Sequence, residues 1–472
     1  VKIREFLFGS PTGWLLLPWA ALVGFALRTG PYGLTEEGSK ALLLAWSLGD
    51  QVASSVFTLG APDVRAFVFL PLGFLWSGQV IAAKLATLLV MGGAGAALYC
   101  WRSRDEQAEA ALLATGLLLI APITVDGIDS VGAGPFLLAI VGAASWLLRM
   151  ADREPGKVGG WFFTQFLLCA AAVSLHPAGL AYPAALTLHW LRCPRDRRDR
   201  QLALIGIPLV AALVLIMRMG WPGMTWGQNP LPAAAAVFGG SLPEDTWSSA
   251  AWLGAIVLIA LTLAVAIHER TRLMADLTSG SLLLAVLIGG LAADRTWGLL
   301  MLALLLYGGF PWLLRACAPL ASRGVLVQRG WLWVLLLLIC TAFMRTNRSD
   351  FEVGRRGMLS AEDELIGDLA HGIEGSAGTG GESGQPPAIL VASPWPARTS
   401  IACRCASLPL PPAAKDPESQ LAMIRGLSYV VLADDRDSRA LAYNFSQLGS
   451  RFEVVAKEPG GVILHLKPPA GR

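Results

Sequence analysis

An ionisable side chain within or beside a long apolar stretch is a candidate for chemistry, because leaving it unpaired in lipid is costly. Four places in this chain qualify: the run Thr35-Glu36-Glu37-Gly38-Ser39-Lys40, Lys84 early in an apolar stretch, Asp126 with Asp129, and Asp294-Arg295. Glu36 and Glu37 open a segment, residues 36–48, whose apolar side chains fall at helical spacing, with Thr35 in position to cap it. A carboxylate there can serve as general base toward an acceptor hydroxyl or amine. The same two acids also suit a plainer role, complementing the positive end of the helix dipole. Asp126 and Asp129 are candidates for contact with an acceptor or a divalent cation, although no further oxygen ligands accompany them and two acids three apart in a turn are also explained by solvation. The sequence therefore assigns no metal site. His176, before Pro177 in a short turn, is a candidate cavity residue or a structural hydrogen-bonding histidine. Trp226, with Trp221 and Trp247 in a proline-containing loop, suits stacking on a sugar ring or anchoring at the lipid interface.

Cys403-Arg404-Cys405 is the closest cysteine pair. It reads either as a redox or metal motif or as two packed thiols, and it lacks the four-ligand set of a structural zinc site. Cys100, Cys169, Cys193, Cys317 and Cys340 are scattered, with no cluster spacing.

The elements that must hold these groups are those of a membrane protein. Of 472 residues, 54% are apolar and 15% charged, against roughly a quarter charged in a soluble domain. A single soluble core, a disordered chain, a collagen-like fibre and a disulfide scaffold are all excluded. About eleven apolar stretches approach the length needed to cross the hydrocarbon, near residues 12–30, 80–101, 109–124, 133–150, 159–175, 178–191, 201–219, 248–267, 280–293, 296–314 and 330–345. The first is expected to be a retained signal anchor, and residues 66–77, interrupted by Pro71 and Gly73, a lead-in to the second span or an interfacial segment. With the N-terminus inside, 17 of the 23 Lys and Arg residues before position 345 fall on the cytoplasmic side, as the positive-inside rule requires. An odd number of crossings then leaves the C-terminus outside. The basic run 195–200 is thereby a topogenic and lipid-headgroup signal, and no nucleic-acid partner is expected.

Residues 1–345 are accordingly read as a transmembrane domain with a first outer loop at 31–79, residues 346–387 as a helix and a Gly/Ser-rich linker, and 388–472 as an extracytoplasmic α/β domain. In the last, β-type runs at 388–392, 429–433, 452–456 and 462–466 alternate with helical segments at 417–426 and 437–448, and Pro459-Gly460-Gly461 forms a hairpin.

The order of features resembles the GT-C membrane glycosyltransferases, in particular the protein O-mannosyltransferase and aminoarabinose transferase group. The likeness rests on a basic inner N-terminus, one span, an outer loop whose acidic pair opens an amphipathic helix, and a second span with a basic residue. It continues through Pro122, the Asp126-Gly127-Ile128-Asp129 segment, Leu147-Leu148-Arg149 and Ser174-Leu175-His176-Pro177, and in a small outer α/β domain at the end of the chain. The resemblance implies transfer of a sugar from a polyprenyl-phosphate-linked donor at the outer face of the plasma (inner) membrane. It implies Glu36 and Glu37 as the base, Lys84 as the contact to the donor phosphate, and Lys40 as a second positive charge. The family pair is usually Asp-Glu, whereas this chain has Glu-Glu; the extra methylene displaces a base by about 1 Å, and such misplacement costs on the order of a hundredfold in rate. The alternative is a non-catalytic membrane subunit that keeps the fold and docks protein partners through its outer loops and C-terminal domain. A transporter built on paired half-helices ranks last, since the two halves show no repeat.

Overall fold

A computed structural model of the chain describes residues 19, 22–24, 33–50, 63–75, 80–103, 108–153, 158–192, 197–218, 229–239, 249–274, 276–290, 294–309, 325–355, 360–377 and 389–467. Most of the 12–30 stretch, Trp226 and the Gly/Ser-rich run beyond Ala377 lie outside these residues. The chain divides into two compact units, one of Val1–Arg28, Ala61–Arg65 and Ala83–Glu352, the other of Thr29–Gly60, Ala66–Ala82 and Val353–Arg472.

The helices are α1 (Glu36–Asp50), α2 (Val64–Leu75), α3 (Val80–Arg102), α4 (Ala108–Ile120), α5 (Pro122–Asp129), α6 (Ala133–Arg153), α7 (Val158–Leu175), α8 (Ala181–Arg192), α9 (Arg197–Arg218), α10 (Pro230–Gly239), α11 (Ser249–His268), α12 (Arg270–Leu273), α13 (Leu277–Gly289), α14 (Arg295–Leu304), α15 (Val325–Arg355) and α16 (Ala361–Ala377). Among the described residues, α3 and the 251–268 part of α11 are long and apolar enough to cross a membrane, and α4 with α5 makes a third such element, bent by 52°. Other apolar helices are shorter, where the sequence reading expects full spans. Outward-facing Leu253, Ile256, Leu263 and Ile267 on α11, and Ile205, Leu209 and Leu213 on α9, are exposed apolar side chains suited to lipid.

The bend has a local cause. Pro122 brings no N–H to continue α4, and Ala121 before it takes an extended conformation (φ −61°, ψ 135°), as a residue preceding proline prefers. The Thr124 hydroxyl donates to the Leu118 carbonyl at 2.6 Å, satisfying one acceptor near the end of α4. Beyond the break the chain resumes as α5, so Asp126 and Asp129 lie in a buried helix and not in an outer turn. Elsewhere in this unit α7 packs on α6 and α9, α8 on α13, and α10 on α11 and α14. The last contact depends on Gly298, where a Cβ would run into the Ala233 carbonyl. Small residues permit such close approach between apolar helices.

The second unit holds a five-stranded sheet in the order β2-β1-β3-β5-β4, formed by β1 (Leu390–Ser393), β2 (Ala406–Pro409), β3 (Tyr429–Ala433), β4 (Phe452–Glu458) and β5 (Gly461–Leu466). β1 runs parallel to β2 and β3, and β5 is antiparallel to β3 and β4. Alternation along the strands explains why both faces are covered. Val391, Tyr429, Val431 and Ile463 meet Leu365, Ile366 and Leu369 of α16 on one side. Ala392, Val430, Leu432 and Leu464 meet Leu441 and Phe445 of α19 (Arg436–Gln447) on the other. Helices α17 (Pro396–Cys403) and α18 (Pro417–Met423) complete the domain. Gly461 is required at the hairpin, where φ is +151° and a Cβ would strike the Leu432 carbonyl.

Candidate functional site

In the first unit most of the ionisable residues singled out from the sequence are gathered into a chain of ion pairs. Lys84, one turn into α3 and fully buried, lies 2.7 Å from Asp129 Oδ1 at the end of α5, whose side chain is 4% exposed. One turn earlier on α5, Asp126 accepts from Arg295 Nη1 at 2.8 Å. The Asp126 side chain is 5% exposed and that of Arg295 48%, so this guanidinium is the more accessible cation of the two pairs. The preceding residue, Asp294, caps α14 by accepting from the Trp297 N–H at 2.9 Å and meets His176 Nε2, also at 2.9 Å. His176 Nδ1 accepts from the Ala178 N–H at 3.1 Å, so the ring proton sits on Nε2 and is donated to Asp294. His176 thus closes the Pro177–Leu180 turn and ties it to the start of α14.

A further pair was not singled out from the sequence. Arg65 is 1% exposed. Its Nη2 lies 2.6 Å from Asp63 Oδ2, and its Nη1 donates to the Val131 carbonyl at 2.8 Å. Val131, two residues past Asp129, has φ +56°, an outlier for a β-branched residue. Arg65 fastens the carbonyl of that strained turn. The only signal in the sequence is the Asp63-Val64-Arg65 spacing, which carries no information about a partner 66 residues away.

The acidic pair lies in the second unit. Thr35 caps α1 as expected, its hydroxyl oxygen accepting from the Gly38 N–H at 3.1 Å. The Glu36 carboxylate accepts from the backbone N–H groups of Ala397 and Arg398, each at 3.1 Å, at the start of α17. Lys40 Nζ lies 3.7 Å from the same carboxylate. Burial pushes the Glu36 carboxyl above its ordinary range, against the two N–H groups and the Lys40 and Arg398 charges. Glu37 is exposed. Arg398 in turn pairs with Glu362 and, at 2.7 Å, with Asp363 on α16. Although burial works the other way, these two carboxylates hold the guanidinium above its usual range.

Among the described residues no group of three or more His, Cys, Asp or Glu side chains is placed to hold a metal ion. The neutralised pairs of the first unit can instead exchange partners with an anion. A phosphate reaching these pairs would compete with Asp129 for Lys84, or with Asp126 for Arg295.

No protein-family model and no curated protein matches the sequence. Solved structures do match its fold. ArnT from Cupriavidus metallidurans, both in the apo state and bound to undecaprenyl phosphate, aligns with 96% of this chain and 98% of its own, at 14% identity and a TM-score of 0.57. The chain has the GT-C fold. An Archaeoglobus fulgidus oligosaccharyltransferase, solved with a tethered acceptor peptide, gives a TM-score of 0.52 at 10% identity, covering 93% of this chain and 72% of that one. Matches at identities this low establish the fold alone, and the chemistry rests on the residues above.

Proposed function

We propose that this GT-C-fold protein transfers a sugar from a polyprenyl-phosphate-linked donor to an acceptor at the outer face of the membrane. The observation that carries the reading is the near full-length match to ArnT, solved with undecaprenyl phosphate bound. Lys84 and Arg295 supply cations suited to a phosphate leaving group. Lys84 is the donor contact in this reading, with Asp129 and Asp126 holding Lys84 and Arg295 in place and His176 tying down Asp294 beside Arg295, and Lys40 adds positive charge beside the acids. Of the acidic pair, Glu36 positions α17, and exposed Glu37 takes the role of base toward the acceptor.

The test uses purified full-length protein in lipid nanodiscs with a panel of polyprenyl-phosphate sugars and acceptors, scored by acceptor-dependent turnover. Glu37→Gln is expected to lower kcat by a factor of about 10²–10⁴ with donor binding retained. Glu36→Gln keeps the hydrogen-bond acceptor and is expected to retain measurable turnover. If Glu36 were the base, Glu36→Gln would abolish transfer, and the acidic limb of the wild-type rate profile would fall above the ordinary glutamate range, since burial raises that carboxyl. Absence of turnover with every donor, together with unimpaired donor binding, would favour the docking-subunit alternative. The engagement of Glu36 by two backbone N–H groups is the observation that supports that second reading.

A further inference from the structure

Helix α5 carries both carboxylates of the ion pairs, Asp126 and Asp129, yet it has only eight residues. A helix of about two turns does not hold its place by its own hydrogen bonds, so its position is set from outside. At its start, the break at Pro122 diverts the Thr124 N–H to the Ala121 carbonyl, at 2.9 Å. The Ile120 carbonyl thereby loses the partner that a continuous helix would give it. Asn347 of α15 replaces that partner: fully buried, its Nδ2 donates to the Ile120 carbonyl at 2.8 Å. Two residues past the other end of α5, Arg65 Nη1 donates to the Val131 carbonyl, also at 2.8 Å. Asp63 holds the same guanidinium through Nε and Nη2, which leaves Nη1 for the carbonyl. A β-branched residue with positive φ, as at Val131, persists only where its surroundings over-determine it. Both donors come from remote segments, 227 and 66 positions away, and both grip backbone on either side of the acids.

We infer that Asn347 and Arg65 are positioning residues of the donor site: by pinning α5 at both ends they set where Asp129 stands against Lys84, and through that pair the affinity for a polyprenyl phosphate. The inference rests on the reading of Lys84 as the donor contact. The attraction and the hydrogen bond between Lys84 and Asp129, 2.7 Å apart, depend steeply on separation and alignment. A shift of α5 along its axis therefore changes both how tightly the carboxylate holds the ammonium and where the ammonium points. One clamp alone would fix a single end and leave the other free to swing. The neighbouring residue on α15 supplies a matched comparison. Thr346 Oγ1 donates to the Phe238 carbonyl of α10 at 2.9 Å, a bond of the same kind that does not reach the Pro122 break.

The experiment places the full-length protein in nanodiscs of graded undecaprenyl phosphate content and reads occupancy by native mass spectrometry, with thermal unfolding midpoints measured in parallel. Asn347→Leu leaves the Ile120 carbonyl unpaired, and Arg65→Lys keeps a charge for Asp63 but loses the fork that reaches two partners at once. Each is expected to weaken binding about tenfold, the lower end of what loss of a residue behind a ligand group costs at metal sites. Thr346→Val should lower the unfolding midpoint with affinity unchanged. In the Lys84→Met, Asp129→Asn double background, Asn347→Leu should cause no further loss of affinity, because the pair through which it acts is gone; a role in stability alone would not show this dependence. Wild-type affinity in either Asn347→Leu or Arg65→Lys, an equal loss in Thr346→Val, or an undiminished effect of Asn347→Leu in the double background would overturn the inference while leaving Lys84 as the donor contact. Binding that is unaffected by removal of the Lys84 and Asp129 charges would instead remove Lys84 from the donor site, and the inference with it. Where Asn347→Leu fails to fold, Arg65→Lys decides through the same comparisons.

Discussion

Lys84 and Asp129 form a buried pair in which each charge offsets the other. Lys84→Met removes the ammonium paired with the buried Asp129 carboxylate and is expected to cost about 3–5 kcal/mol, read as a loss of unfolding free energy in detergent. The double variant Lys84→Met with Asp129→Asn removes both charges and should recover most of that loss. Transfer should stay abolished in the double variant, because the ammonium for the donor phosphate is still missing; restored turnover would remove Lys84 from the mechanism. At this scale the sequence was informative about which residues are unusual and silent about their partners. Lys84, Asp126, Asp129, His176 and Asp294-Arg295 stand out as polar groups in or beside apolar stretches. Their pairings join residues 45, 169 and 118 positions apart, which no local pattern encodes.

Elements with a strong internal signal were legible. The strand Tyr429–Ala433 has the expected bounds, and β5, α19 and α1 begin within one residue of expectation. Helix α17 and strand β2 were not anticipated. Pro396–Cys403 has no clear apolar stripe, and the start of α17 is satisfied by Glu36, 361 residues away. The helical state of Asp126-Gly127-Ile128-Asp129 was likewise hidden, since Asp and Gly together are turn residues by local propensity. Helix packing supplies a prediction of its own. Gly298→Ala places a Cβ against the Ala233 carbonyl and Ile123, so it should cost about 1–3 kcal/mol by overpacking and loosen α14, which begins with Arg295, from α5. Gly93→Ala, in α3 with nothing within 4 Å of the new Cβ, should instead stabilise by about 0.4–1 kcal/mol. Denaturation midpoints of the two variants relative to wild type check both signs.

For the whole molecule, the net charge of +3 conceals an uneven distribution along the chain that the positive-inside rule converts into a topology. The proposal of an inner N-terminus and an outer C-terminal domain is tested in a cysteine-free background. Ser383→Cys should react with a membrane-impermeant maleimide in intact cells, and Ser103→Cys only after permeabilisation; the opposite pattern would invert the topology. The Lys84 and Asp129 pair also bears on how such a molecule is made. Lys84 is synthesised 45 residues ahead of Asp129, an interval of about 2–9 s at typical elongation rates. In the proposed topology α3 enters the bilayer during that interval without the Asp129 carboxylate beside Lys84; an ammonium costs about 2.5–3.5 kcal/mol at mid-membrane, a burden eased near a helix end by snorkelling. Its place one turn from the start of α3 lets the nascent helix wait at the lipid boundary until the carboxylate arrives, so biogenesis, as well as the finished structure, constrains where this lysine can stand.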